Sequence, residues 1–211
     1  MSARYVGREN VVKRLQPRQG AAGVTVYSDG KACFETAEET IVVRPPFGLG
    51  HEARYQFVET GPLLAALTQD RLIGVLLVRL GGYAVGVLEG ERLVASKVGQ
   101  RLVHGRHRAG GSSANRFRRR REEQASALVR SAASEAVRVL EPYLDRLDAA
   151  ALGGDRFAVS AALESRPELA SFEAKAIPRF FTTPDPRRRV LERFGYDLYA
   201  AELTSGATLA S

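Results

Sequence analysis

The sequence predicts an α/β protein of the mixed α+β kind, a mixed β-sheet flanked by helices with an antiparallel β meander at its N-terminal end. Three observations predict it. Apolar stretches at residues 73–78, 83–88 and 93–98 follow one another with only short glycine-bearing turns between them, which is strand spacing rather than helix spacing. Ala125, Leu128, Val129, Ala132, Ala133, Ala136, Val137 and Leu140 recur at i, i+3, i+4 and i+7, so a long amphipathic helix turns an apolar stripe toward a core. Asp29-Gly30, between two short runs of β-branched and aromatic residues, suits the positive φ angles of a tight hairpin turn.

In chain order, residues 1–20 are polar and read as a weak helix around 10–15 or an ordered tail. The runs 24–27 and 32–34 are the arms of the hairpin, 40–43 is a third strand stopped by Pro45-Pro46, and 54–58 is a fourth. Together they read as a small meander. Gly61-Pro62 opens a short helix with Leu63, Leu64 and Leu67 on one side. The run 73–78 is continuously apolar, as in a strand buried on both faces. Gly81-Gly82 and then Glu89-Gly90-Glu91-Arg92 turn the chain into the next two strands. Pro142 should end the long helix, with 143–151 as a second helical piece stopped by Gly153-Gly154. Residues 157–162 read as a buried strand, which places Phe157, like Tyr83, in or near the core. Residues 168–172 read as a short helix and 180–183 as a strand. Asp185-Pro186 looks like an N-cap with proline at the first helical position, opening a helix to Arg193. The alternation in 196–203 suits an edge strand, and the chain from Thr204 reads as a disordered tail.

At 211 residues with 45% hydrophobic side chains the chain can bury a sizeable core. One cysteine, Cys33, excludes an internal disulfide and makes a cysteine-built metal site implausible. No apolar run approaches the roughly 18–20 residues of a membrane span, and the first residues lack a secretory signal, so a soluble, cytoplasmic protein without membrane contact is expected. Arginine supplies 27 of the 31 basic side chains. Eight of them, with two histidines and no acid, fall between Arg101 and Arg121; without that window the chain has 23 basic against 24 acidic residues. The positive charge is local, and a concentrated basic segment on a balanced domain is what a polyanion site requires. Metal-dependent nuclease chemistry needs carboxylates clustered at strand ends, and the interior strands carry almost none.

The segment Gly110-Gly111-Ser112-Ser113-Ala114-Asn115-Arg116-Phe117-Arg118-Arg119-Arg120-Arg121, followed by Leu128-Val129-Arg130 and Ala133-Ser134-Glu135-Ala136-Val137, resembles the middle domain of eukaryotic and archaeal class-one release factors. There a Gly-Gly-Gln-Ser-Ala-x-Arg-Phe loop enters a long basic amphipathic helix. The strand pairs before the loop, Lys97-Val98, His104-Gly105-Arg106, and Gly154-Asp155-Arg156-Phe157-Ala158-Val159-Ser160-Ala161 extend the resemblance over about residues 71–203. Residues 79–86 and 95–99 look closer still to the bacterial, actinobacterial branch of the Vms-like release factor family. The resemblance implies a release-factor-like domain at 71–205, packed against a β-rich extension at 1–70 and followed by a disordered tail at 206–211.

It also implies a function, the hydrolysis of peptidyl-tRNA on stalled ribosomes or large subunits. Gly110, Gly111, Ser112, Ser113 and Asn115 are then the catalytic candidates. Arg101, His104, Arg106, His107, Arg108, Arg116, Arg118, Arg119, Arg120 and Arg121 are the RNA-binding candidates. The partners implied are the large ribosomal subunit with its rRNA and peptidyl-tRNA. No cofactor and no metal are expected, and a monomer is the favoured state. Paired glycines let backbone amides approach an ester closely, and a helix N-terminus suits an oxyanion or a phosphate. The chain departs from the family at one place. Aligned on the glycine pair, Ser112 stands at the family glutamine; in the Vms-like loop the glutamine stands one residue later, at Ser113. Asn115 is the one side-chain amide between Gly110 and Phe117, and Gln124, two turns into the helix, is expected to face solvent. Ser112 and Ser113 also suit a plain N-cap role. His104 and His107 lack a third ligand in the sequence and read as RNA contacts. Without the glutamine, a ribosome-binding factor that does not hydrolyse is the alternative.

Overall fold

The apolar run around Val75 is the centre of a five-stranded mixed sheet in the computed structural model of the chain, which describes residues 3–100 and 113–207 (side chains at 113–115 and 117 excepted). Two compact units emerge. One holds residues 71–195, and the other holds 1–70 together with 196–211. The sequence reading put residues 196–205 with the larger unit. In the structure their strand completes the sheet of the smaller one.

The larger unit is built from β6 (Leu72–Arg79), β7 (Gly82–Glu89), β8 (Arg92–Gln100), β9 (Ala149–Gly154) and β10 (Ala176–Phe181), in the order β10-β9-β6-β7-β8. β6, β7 and β8 form an antiparallel meander, while β9 and β10 join β6 in parallel. Every residue from Ile73 to Val78 is buried, as its unbroken apolar run requires. On one face Leu76, Val78, Tyr83, Val85 and Val87 pack with Leu128, Ala132, Ala136 and Leu140 of α3 (Ser113–Leu140) and with Val159 and Leu163 of α4 (Arg156–Glu164). Alanines along the stripe bring α3 close to the sheet. Phe172 of α5 (Ala170–Ala174) lies over Gly74, where any Cβ would meet its ring. Against the other face Leu191 of α6 (Arg188–Leu198) reaches Gly86, and Phe194 stacks edge-on with Phe181 at 4.8 Å.

Four sequence expectations for this unit are corrected. Residues 143–151 are not a helix: a 3-10 turn, Glu141–Arg146, gives way to β9, which pairs with β6 on one side and β10 on the other. Helix propensity in Ala149-Ala150-Ala151 loses to two ladders of backbone hydrogen bonds. Lys175 Nζ ends the turn by donating to the carbonyls of Leu144 and Leu147 at 2.8 and 2.7 Å. Residues 157–162 are not a strand but the body of α4, whose N-cap Asp155 accepts from the Ala158 amide at 3.0 Å. Val159, Ala162 and Leu163 face the core at i, i+3 and i+4, which leaves Phe157 on the outer side, 90% exposed rather than in the core. Tyr83 is buried as expected, 5% exposed. The third correction concerns α6, which begins at Arg188, so Asp185-Pro186 precede it and do not cap it. The fourth is that this helix continues to Leu198, where a strand was expected.

The smaller unit is a six-stranded, wholly antiparallel sheet of β1 (Arg4–Val6), β2 (Ala22–Ser28), β3 (Lys31–Glu35), β4 (Glu39–Arg44), β5 (Ala53–Phe57) and β11 (Ala201–Ala207). Its order is β1-β11-β4-β3-β2-β5. The hairpin stands as read, with Asp29 at φ 51° and Gly30 at φ 69°. β5 does not extend the meander beyond β4; it returns to pair with β2. β11, expected at an edge and then disordered from Thr204, runs to Ala207 between β1 and β4. β1 had no signal in the sequence, since three residues are too few to show a period. α1 (Arg8–Leu15) and α2 (Gly61–Thr68) cover the sheet with Val11, Leu15, Leu63 and Leu67, which pack with Tyr27, Phe34, Ile41, Val43 and Leu203. The buried Thr25 hydroxyl spans the register shift between β2 and β5, donating to the Phe57 carbonyl and accepting from the Glu59 amide, both at 2.9 Å. Tyr27 donates to the Glu59 carbonyl at 2.7 Å.

Candidate nucleic-acid interface

The basic segment identified in the sequence joins β8 to α3. Of its candidates, Arg101, His104, Arg106, His107, Arg108, Gly110, Gly111 and Ser112 lie outside the described residues. Ser113 and Asn115 belong to the first turn of α3 rather than to the connection before it. The structure therefore places the second half of the candidate set, and does so on one helix.

That helix is 28 residues long, about 42 Å at 1.5 Å per residue. Its two ends differ in environment. From Leu128 onward it is pinned to the sheet, and Leu128, Ala132, Ala133, Ala136, Val139 and Leu140 are all buried. Before Leu128 no described side chain is buried: Arg116, Arg118, Arg119 and Arg120 are exposed and Arg121 is partly covered. From Arg116 to Leu128 the axis advances about 18 Å. The arginine-bearing end is thus carried on a helix whose anchorage lies several turns away. Its charges are little offset. Arg118 stands 3.9 Å from Glu122, and among the described residues Arg119, Arg120 and Arg121 have no carboxylate partner within ion-pair distance. There is no acid in the first turn, so the guanidinium groups add to the positive end of the helix dipole instead of cancelling it.

The strand that leads into the segment pairs along its length with β7, and one side chain links its end to α3. Tyr83 on β7 lies directly opposite Gly99 on β8, and its ring occupies the space that a Cβ at Gly99 would need. The same phenol hydroxyl lies 3.2 Å from Ser131 Oγ on α3. One buried side chain therefore ties the end of β8 to the anchored part of α3. Gln124, expected to face solvent, is only partly exposed, and its amide oxygen is buried without a hydrogen-bond partner among the described residues. Among the described residues no group of three or more His, Cys, Asp or Glu side chains is placed to hold a metal. The arginines at the start of α6 are partly neutralised, with Arg188 at 2.9 Å from Glu192 and Arg187 at 4.0 Å from Asp185. Among the described residues no helix is long and apolar enough to cross a membrane.

Residues 71–204, which include β8, α3 and the segment between them, match the family model described as Actinobacteria/chloroflexi VLRF1 release factor. The class is that of release factors. The chain belongs to the Actinobacteria/chloroflexi VLRF1 release factor family, whose model covers more than half of it. Peptide chain release factor subunit 1 of Archaeoglobus fulgidus is 33% identical over 93 residues, which is 44% of this chain and 23% of that protein. The chain thus matches less than a quarter of that relative's length. Among solved structures, archaeal translation termination factor aRF1 aligns with a TM-score of 0.43 at 17% identity, over 92% of this chain and 55% of that one. The Vms1 mitochondrial localization core aligns with a TM-score of 0.47 at 12% identity, over 92% of this chain and 80% of that one.

Proposed function

We propose that this protein is a ribosome-associated factor that delivers the β8–α3 connection to peptidyl-tRNA on stalled ribosomes or free large subunits and releases the nascent chain. The observation that carries this is the arginine end of α3, where Arg119 and Arg120 are exposed and, among the described residues, have no carboxylate within ion-pair distance, joined directly to Gly110-Gly111-Ser112 in a chain of release-factor family. Arg116 and Arg118 to Arg121, with Arg101, His104, Arg106, His107 and Arg108 before them, contact rRNA phosphates. Gly110 and Gly111 bring backbone amides close to the ester. The reaction is a hydrolysis: water adds at the ester carbonyl, the bond to the ribose oxygen of the tRNA breaks, and that oxygen takes the proton. The chain contributes donors for the developing oxyanion at the loop and helix N-terminus; Ser112, Ser113 and Asn115 are the side chains available to orient the water. No cofactor enters this scheme, and the site of action is cytoplasmic.

Purified large subunits carrying peptidyl-tRNA test it. Wild type should release peptide, and a Gly110→Ala, Gly111→Ala double variant should lose most of that release. Equal release by both would remove the connection from the mechanism. The lack of glutamine at Ser112 and Ser113 favours a second reading, in which the protein occupies the same site without hydrolysis. Under that reading wild type co-sediments with large subunits in a salt-dependent way and releases nothing. Absence of co-sedimentation at low salt would remove both readings.

A further inference from the structure

Phe157 has no part in the core of α4, which buries Val159, Ala162 and Leu163. It is 90% exposed, and Leu80, in the turn between β6 and β7, is 63% exposed. The two border one groove of about 450 Å3 between α4 and α3, floored by Leu128, Val129 and Ala158 and edged by Arg130 and Asp155. Isolated exposed apolar residues are ordinary, whereas two large ones around a shaped groove mark a binding surface.

Charge selects the occupant. On α3, Ala125 and Ser126 line the groove, and Arg118 and Arg119 stand seven residues earlier, on the same face and about 10 Å along the axis. Arg130 is in the lining itself. Among the described residues neither Arg119 nor Arg130 has a carboxylate within ion-pair distance. The acids nearby are Asp155, whose Oδ1 caps α4, Glu122, which faces Arg118, and Glu123. A ligand suited to this surface carries a flat apolar face for Phe157 and negative charge for the arginine row.

We infer that the groove takes one unstacked base of a single-stranded RNA segment, with Phe157 as the stacking face and Arg118, Arg119 and Arg130 along its phosphates. This rests on the reading of α3 as an RNA-facing helix and adds to it a place where single-stranded RNA is distinguished from duplex, because only an unpaired base can leave its stack. Asp155 Oδ1 caps α4, and its second carboxylate oxygen, without a hydrogen-bond partner among the described residues, faces a base amino group or a ribose hydroxyl.

The chain has no tryptophan, so Phe157→Trp introduces a single fluorescent reporter at the groove without touching the core. Titration with hexa-adenylate RNA at low salt should quench it saturably, and a blunt-ended RNA duplex at the same phosphate concentration should not. Phe157→Ala should weaken hexa-adenylate binding by roughly five- to 150-fold, the ratio that corresponds to the usual stacking energy of one base, and leave duplex binding unchanged. Arg118→Ala with Arg119→Ala should weaken both. Absence of quenching, equal binding by wild type and Phe157→Ala, or quenching by an acidic, aromatic peptide in place of RNA overturns the assignment; the last outcome gives the groove to a protein partner. If the groove binds hexa-adenylate in this way but the protein neither co-sediments with large subunits nor releases peptide, the ribosomal reading falls and the groove remains. If the protein does both and Phe157→Ala binds hexa-adenylate as wild type does, the groove alone falls.

Discussion

Tyr27 and Leu128 show how single residues hold the two units. Tyr27 is 1% exposed and donates to the Glu59 carbonyl; burial holds its phenol well above its ordinary value of 10. A folded-state pKa raised above the unfolded one leaves stability intact below pH 10. Above it the unfolded chain ionises first, and stability is lost as pH rises toward the folded pKa. Tyr27→Phe should cost about 1 kcal/mol at pH 7 and reduce the loss between pH 7 and 10.5, both read from urea midpoints. Leu128, 2% exposed, is where α3 meets the sheet, and Leu128→Ala should cost roughly 2–5 kcal/mol. Phe157→Ala should stay within about 0.5 kcal/mol of wild type. Sequence could not separate those two residues, because both are large side chains in apolar runs, one read as a helix and the other as a buried strand, and both readings place them in the core. Exposure of Phe157 follows only once Val159, Ala162 and Leu163 are known to point at the sheet.

At the scale of elements, α3 divides into an anchored half and a basic half, and charge and packing can be changed independently along it. Replacing Arg119 and Arg120 by alanine should leave thermal stability nearly unchanged, since neither is buried, and should flatten the salt dependence of ribosome or RNA binding. Each phosphate that is no longer neutralised takes roughly 0.9 off the log–log slope on duplex RNA; an unchanged slope would show that this half of the helix faces solvent. α4 shows what a cap decides. Its residues 157–162 are apolar enough for a buried strand, yet Asp155 fixes the first turn. Asp155→Ala should cost about 1 kcal/mol, seen as faster amide exchange at the start of α4. β9 is the opposite case, an alanine-rich stretch drawn into a strand by partners on both sides.

For the molecule as a whole, the contribution of the C-terminal segment was the least legible. The alternation over 196–203 misled because Tyr196 and Leu198 belong to a helix, and β11 begins only at Ala201. It lies inside the six-stranded sheet, so strands from opposite ends of the chain close one unit around the other unit's sequence. Truncation after Tyr199 should therefore separate β1 from β4 and expose Ile41 and Val43. Amide exchange should accelerate throughout β1 and β4 while β6, β7 and β9 stay protected. Uniform acceleration in both sheets would show instead that the two units unfold together.

By itself the sequence determined the elements whose signal is local: the Asp29-Gly30 hairpin, the three strands of the central meander, the long amphipathic helix, and the arginine segment that set the family resemblance. Tertiary structure decided everything that depends on partners. β9 became a strand and α4 a helix, β5 crossed to pair with β2, β11 moved inward, and Phe157 turned to the surface. Periodicity records which residues are apolar along the chain. Which surface covers them, and which backbone groups pair with which, is fixed only when distant segments compete for the same hydrogen bonds and the same core.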